Sequence, residues 1–388
     1  MAKDGYRSNE LIMRKKVCVV TAARSEYGVM HWIIDSVHKD EDLELQLVVT
    51  GAHLSPEQGL TYKFIEEDGY PITEKVPILL SSEDESGIVK SMGICSISFA
   101  DTFHRLQPDI VVVVGDRYEL LPIVSAALLL RIPIAHISGG DITEGAIDDE
   151  VRNAVTMMSD LHFPGTVDSA KNIIRMRGSK KNVYIVGEPG LDSFNRLKLW
   201  DKQEIAKQLN LDLNKKWCLV TLHPETKLSL SANLKMVDNL FEVMAQTSDI
   251  QYIITKANAD FGGGQINEFW GKSILNYPQK MQLFSSLGQL RYLSFMKHTD
   301  LVVGNSSSGI IEAPFIGTPV VNIGERQKGR HICKNILCCG YSKEDISQTI
   351  SIAANSTRKI DKYWGDGYTS DKTVKLLKYY LDTKIRNY

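Results

Sequence analysis

Short apolar, β-branched runs recur along the chain, each closed by a glycine or polar turn and followed by a stretch with apolar residues at helical spacing. In the first half the runs are Val17 to Thr21, Leu45 to Thr50, Ile110 to Val114, Ile134 to Ile137, Leu161 to Phe163 and Val183 to Val186. Positions 111 to 114 are all valine, as a strand covered on both faces requires. The intervening segments, such as Glu26 to Val37 and Asp148 to Met158, carry apolar residues at helical spacing. Strand and helix in alternation predict a parallel, doubly wound α/β sheet.

The pattern pauses between Gly187 and Lys216, then restarts with CLVTLH at 218–223, IQYIITKA at 250–257, MQLF at 281–284, LVVGN at 301–305 and VVNIG at 320–324. We therefore expect a first Rossmann-like domain over 1–187, a linker over 188–215 and a second Rossmann-like domain over 216–360. The amphipathic stretch SDKTVKLLKYYLDTKI within 361–388 is expected to cross back to the first domain. Twin doubly wound domains are expected to face a central cleft at the carboxyl ends of their strands, where such folds bind nucleotides.

Composition narrows the function. The 388 residues exceed the size at which one core stops growing, and the formal net charge is only -2. That balance gives no reason to expect nucleic acid or an anionic membrane as partner, and favours a small ligand. Six scattered cysteines include no CxxC pair and no histidine at zinc-site spacing, which suits a reducing compartment. The opening MAKDGYRSNELIMRKK lacks the apolar run of a signal peptide, and no stretch reaches the length of a membrane span, so a cytoplasmic protein is expected.

Chemistry gathers where strands end. No GxGxxG supports a dinucleotide, and GKS at 271–273 lacks the glycine a P-loop needs, because Ile266 stands there. In TAARSEYG, Arg24 would stand beside free helix N–H groups, an anion site; the plainer alternative is a solvated arginine with Ser25 as the helix cap. In GDRYE, Asp116 and Arg117 either pair with each other or face a ligand, because an unpaired buried charge is expensive. HISGGDITEGAIDDEVRN adds Asp141, Glu144, Asp148, Asp149 and Glu150. Asp148 could cap the following helix, but capping explains one carboxylate, not five. Such density suggests acid/base work with at least one carboxyl raised by crowding, or a divalent cation.

The second half offers cations and hydroxyls instead. His223 follows a strand in TLHPET, and GNSSSGIIE opens a helix with Ser306, Ser307 and, one turn in, Glu312. Arg326 and Arg330 in NIGERQKGR and Asn258 in TKANAD complete an expected anion and nucleotide site.

As an ordered set from about residue 16 to 375, TAARSEYG, GDRYELL, HISGGDITEGAIDDEVRNA, GEPGLD, TLHPET, GNSSSGIIEAP and GTPVVNIGERQKGR resemble the hydrolysing sugar-nucleotide 2-epimerases. Those enzymes convert UDP-N-acetylglucosamine to N-acetylmannosamine and UDP at the entry to sialic acid synthesis. The resemblance implies a fold like that of the twin-Rossmann nucleotide-sugar glycosyltransferases, a homodimer or homotetramer, and a mechanism without metal, NAD or other cofactor. It implies that UDP leaves C1 as the C2 proton is removed, and that water then adds to the glycal. Asp116 matches the family's first catalytic aspartate, and Asp148 with Asp149 its second acidic pair. Arg24, Arg117, His223, Asn258, Ser306, Ser307, Glu312 and Arg326 match positions that hold UDP, Glu312 accepting from the ribose hydroxyls.

One position departs from the family pattern. Many members read HIEGG, with a catalytic glutamate where this chain has Ser138. Either Glu144 or Asp141 then takes over, or the substrate differs. The TEGA-containing variant resembles enzymes of legionaminic acid synthesis, which act on UDP-N,N'-diacetylbacillosamine. A glycosyltransferase on the same fold would use the UDP site but need an acceptor, and a nucleotide-sugar sensor would not need the acids.

Overall fold

The computed structural model describes residues 14–80, 85–142, 147–225, 227–258 and 262–385. The chain forms two compact units, 1–190 with 368–388, and 191–367. Among the described residues each unit holds one six-stranded sheet, with every strand pair parallel.

The first unit contains β1 (Lys15–Thr21), β2 (Leu43–Thr50), β3 (Ile72–Val76), β4 (Ile110–Val114), β5 (Ile134–Ile137) and β6 (Leu161–Phe163), in the order β3-β2-β1-β4-β5-β6. The second contains β7 (Lys216–Thr221), β8 (Ile250–Thr255), β9 (Met281–Phe284), β10 (Leu301–Gly304), β11 (Val320–Ile323) and β12 (Ile336–Cys339), ordered β12-β11-β10-β7-β8-β9. Both are the doubly wound Rossmann arrangement, with the chain reversing its direction of travel between the first and fourth strands. Those switch points, β1/β4 and β7/β10, are where ligands sit in open α/β sheets.

Helices cover both faces, which is why the central strands carry buried apolar runs. Val17 and Val19 of β1 pack into one cluster with Met30, Ile33 and Ile34, while Cys18 and Val20 join Phe99, Phe103 and Ile123 on the other face. Cys18 and Cys218, fully buried, behave as small core residues, and burial raises both thiols.

Two strands escape the sequence pattern. β3 reads ITEKV, an edge strand with alternate exposed positions, and β12 is a half-exposed edge, so neither has the fully apolar run of a central strand. Conversely, Val183 to Val186 is not a strand. It bridges β6 only at Val183, because Pro164 ends the run with no N–H to continue a ladder.

Residues 191–215, where the sequence suggested a linker, belong to the second unit. Helices Asp192–Arg196 and Lys202–Leu209 place Leu191, Ile205, Ala206 and Leu209 in a buried cluster with Trp217 and Phe295. The polar look of KQEIAKQ is that of an amphipathic helix buried along one edge.

The helix Thr369–Ile385 returns to the first unit, where Val374, Leu377, Tyr380 and Leu381 join the cluster around Met30 and Ile33. Lys378 holds its outer face to Asp40 and Asp42. Among the described residues no helix is long and apolar enough to cross a membrane. Leu377→Ala should cost about 2–5 kcal/mol as a buried cavity, lowering the thermal midpoint, whereas Leu275→Ala, at 73% exposure, should leave it unchanged.

Candidate functional site

The fourth strand of the first unit ends at Val114, and the turn that begins with Gly115 places Asp116 and Arg117 at the β1/β4 switch point. The two do not pair with each other. Arg117 donates Nε and Nη2 to the buried Glu119 carboxylate at 3.2 and 2.8 Å. Asp116 instead accepts a charge-assisted hydrogen bond from Arg152. Arg152, only 5% exposed, also donates to Asp149 Oδ1 and to the backbone carbonyl of Asp141, both at 3.0 Å. One buried guanidinium thus fixes Asp116, Asp149 and the start of the acidic loop. Such burial is tolerable because both terminal nitrogens of the cation meet oxygen, two of the partners being carboxylates.

Asp148 lies in the first turn of helix Ile147–Met158 rather than at its cap, and is exposed. Partial desolvation and the nearby Asp116 charge raise its carboxyl above the usual range, against the pull of Arg152 and Arg117. Asp141 Oδ1 accepts from the Ser169 hydroxyl at 2.5 Å, which commits that oxygen to the next helix. Glu144 lies outside the described residues.

Behind the acids stands His136. It is fully buried; its Nε2 donates to the Gly115 carbonyl at 2.8 Å, and the Thr156 hydroxyl lies 3.2 Å from Nδ1. Burial lowers it to about 4, so it stays neutral and acts as a brace for the turn carrying Asp116. The chain then turns sharply: Ser138 has φ 56, and a Cβ on Gly140 would lie 2.3 Å from the Ser169 carbonyl. Ser138 therefore sits where the backbone is held in the left-handed region, which is uncommon for a serine.

Arg24 opens helix Arg24–Lys39, stacks over the Phe64 ring at 4.4 Å and lines a cavity of about 810 Å³ together with Arg117. The cap is Ala23, not Ser25. The helix start is instead held by Glu26, which accepts from the backbone N–H of Ala22 and Ala23 at 2.6 and 3.2 Å. Pro56, Ile78, Leu79, Leu80 and Ile88 give this cavity an apolar side.

In the second unit the expected residues surround the β7/β10 switch point. Asn305 clasps the backbone of His223 with bonds of 2.7 and 2.9 Å, and His223 Nδ1 accepts from the Asn258 backbone N–H at 3.1 Å. That acceptance puts the proton of the neutral ring on Nε2. Close passage of β7 and β10 demands Gly304, whose Cβ would fall 2.0 Å from the Thr221 carbonyl. Ser306 caps helix Ser307–Ile316, leaving Ser307 at its first turn, and Arg326 donates to the Asn305 carbonyl at 3.3 Å. Gln327 donates to the same carbonyl at 2.8 Å. Glu312, on that helix, has a buried Oε2 without a hydrogen-bond partner among the described residues, and burial raises its carboxyl. A buried carboxylate oxygen with nothing to accept from is suited to a ligand hydroxyl.

Sequence reasoning missed Arg152, Glu119 and His136. The spacing of Asp149 and Arg152, three apart on one helix, was the available signal for the first. His136 inside an apolar strand was the signal for the last.

The architecture is the twin-Rossmann one of nucleotide-sugar enzymes. The family model described as UDP-N-acetylglucosamine 2-epimerase matches residues 35–378, and the chain belongs to that family of enzymes. It is 40% identical to the GDP/UDP-N,N'-diacetylbacillosamine 2-epimerase (hydrolyzing) of Campylobacter jejuni, over 84% of each chain. It is 31% identical to the UDP-N,N'-diacetylbacillosamine 2-epimerase (hydrolyzing) of Legionella pneumophila, over 94% of this chain and 96% of that one. The fold matches the UDP-GlcNAc 2-epimerase of Neisseria meningitidis, solved bound to UDP-GlcNAc, with a TM-score of 0.77 at 18% identity, covering 94% and 100% of the chains.

Glu26 supplies a test of the first unit's electrostatics. Burial lifts its carboxyl from 4.5 to about 7, against the backbone N–H groups and Arg117. A raised folded-state value favours the protonated form, so its contribution is complete below pH 4.5 and lost as pH rises through 7. The span is worth up to about 3 kcal/mol. The thermal midpoint of Glu26→Gln relative to the parent should therefore rise between pH 4.5 and 8; a constant difference would contradict the burial argument.

Proposed function

We propose that this chain is a hydrolysing 2-epimerase of a UDP-linked 2-acetamido sugar, and that its substrate is UDP-N,N'-diacetylbacillosamine. The observation that carries the reaction is that each unit has a switch point furnished for a different task. In the first unit, Asp116 and Asp148 stand close enough for the charge of one to raise the other. In the second, a helix start meets His223, Arg326 and the unpartnered Glu312 oxygen.

In this reading Glu312 accepts from the ribose, while Ser306, Ser307, His223, Asn258 and Arg326 hold the diphosphate; Arg24 and Arg117 are the anion-binding groups of the first unit. A carboxylate takes the C2 proton as the C1–oxygen bond to UDP breaks, giving a glycal. Water then delivers hydroxyl to C1 while a proton returns to C2 on the opposite face. Asp148, with its raised carboxyl, is the better proton acceptor; Asp116, aimed by Arg152, serves the other face. Asp149 holds Arg152 in place. No cofactor enters this scheme. The C2 proton is weakly acidic, so stabilisation of departing UDP by cations and helix N–H groups supplies much of the rate.

Three features support the sugar. The relatives at 40% and 31% identity are named for N,N'-diacetylbacillosamine. Ser138 replaces the glutamate of the HIEGG pattern. The apolar side of the Arg24 and Arg117 cavity suits a 6-deoxy methyl better than a hydroxymethyl. The enzyme then serves nonulosonic acid biosynthesis of the legionaminic type. UDP-N-acetylglucosamine is the second reading, because the family description names it.

Release of free nucleotide from both sugars, with UDP and GDP forms of the first, tests the choice. Turnover should be at least tenfold higher with UDP-N,N'-diacetylbacillosamine; equal or better turnover of UDP-N-acetylglucosamine would reverse the assignment. Asp116→Asn should cut kcat by orders of magnitude with UDP affinity kept, whereas Arg326→Ala should chiefly weaken UDP binding.

A further inference from the structure

One cluster outside these sites brings three different metal-binding atoms together. Donor atoms of His331, Cys333 and Asp361 all lie within 4.8 Å of one another in the second unit. No local spacing marks it, because the aspartate arrives from a distant segment that wraps back over helix Ser307–Ile316.

That segment is firmly seated. Arg358 donates to the Thr318 hydroxyl and the Thr299 carbonyl, both at 2.6 Å. Lys359 N–H donates to Gly317 and Asp361 N–H to Pro314, at 3.0 and 2.9 Å. Asp361 Oδ1 accepts from the Tyr363 N–H at 3.0 Å, which orients the carboxylate. The His331 ring stacks on Tyr363 with centroids 3.7 Å apart and planes 13° from parallel. Both outer donors are thus oriented by neighbours, as metal ligands commonly are.

An independent observation concerns the sulfur. Trp364 is 6% exposed, and its buried Nε1–H has no hydrogen-bond partner among the described residues. It lies beside the Cys333 sulfur. A buried donor left without an oxygen acceptor is costly, and a metal-bound thiolate would satisfy it.

We propose that His331, Cys333 and Asp361 form a binding site for one Zn²⁺ ion, with a fourth coordination position open to solvent. A thiolate, an imidazole and a carboxylate together select zinc over magnesium or calcium, which want oxygen alone. Tetrahedral donors about such an ion stand roughly 3.5 Å apart, a closure that the exposed His331 side chain can supply. Binding expels the thiol proton to water. The ion would pin the loop that carries Arg326 and Arg330 to the 358–364 segment.

Cobalt(II) titration of the reduced, metal-stripped protein tests the site, because a thiolate ligand gives a sulfur-to-cobalt charge-transfer band. One equivalent should bind, with the band displaced by Zn²⁺, absent in Cys333→Ser and weakened at least about tenfold in Asp361→Asn. The exposed Cys338 is a separate thiol, so a band that survives Cys333→Ser would overturn the proposal. Should Cys333→Ser fail to fold, His331→Ala decides: it should keep the metal-free thermal midpoint and lose at least about tenfold in affinity. Unchanged affinity in that variant, or no stoichiometric binding in the parent, would also overturn it.

Discussion

A parallel sheet covered by helices on both faces can meet water and ligand only where its strands end. That constraint explains where this chain keeps its charge. Val111 to Val114 admit no ionic group, and acids and arginines collect in the turns beyond β1, β4, β5 and β11. At the first unit's switch point the crowding would be self-defeating without a cation. Arg152 solves it by binding Asp116 and Asp149 at once, and His136 braces the turn from below as a neutral donor.

Much of this was visible in the sequence. The central strands announce themselves because burial on two faces leaves an uninterrupted apolar run, and the loops that follow them stand out by contrast. What was hidden depended on partners remote in sequence. Asp116 and Arg117 could have paired with each other or faced a ligand, yet each is matched elsewhere, to Arg152 and Glu119, because geometry at a strand end separates neighbours along the chain. The edge strands β3 and β12 were invisible because an edge need not be apolar. Helix Lys202–Leu209 looked like a linker because only three of its residues are buried. The His331, Cys333 and Asp361 cluster has no local spacing to read.

Ser138 draws these threads together. Its left-handed backbone, set between the buried His136 and the tightly packed Gly139 and Gly140, makes the HISGG segment a tight, closely packed turn. Serine offers no carboxylate at this position, and His136 braces the turn beside it. Acid/base duty in the proposed reaction then falls to Asp116 and Asp148, whose environments differ: one is fastened to a guanidinium, the other is raised by desolvation and by its neighbour's charge. Two carboxyls of unlike environment are what a proton transfer on opposite faces of one carbon requires.

The central claim is that these groups exchange a proton at C2 while UDP departs. Turnover in D2O, followed by NMR of the products, addresses it directly. The account predicts free UDP and a free, 2-epimerised sugar carrying one deuterium at C2, with no acceptor present. A product that keeps its original C2 hydrogen, or transfer that occurs only when an acceptor is added, would contradict it.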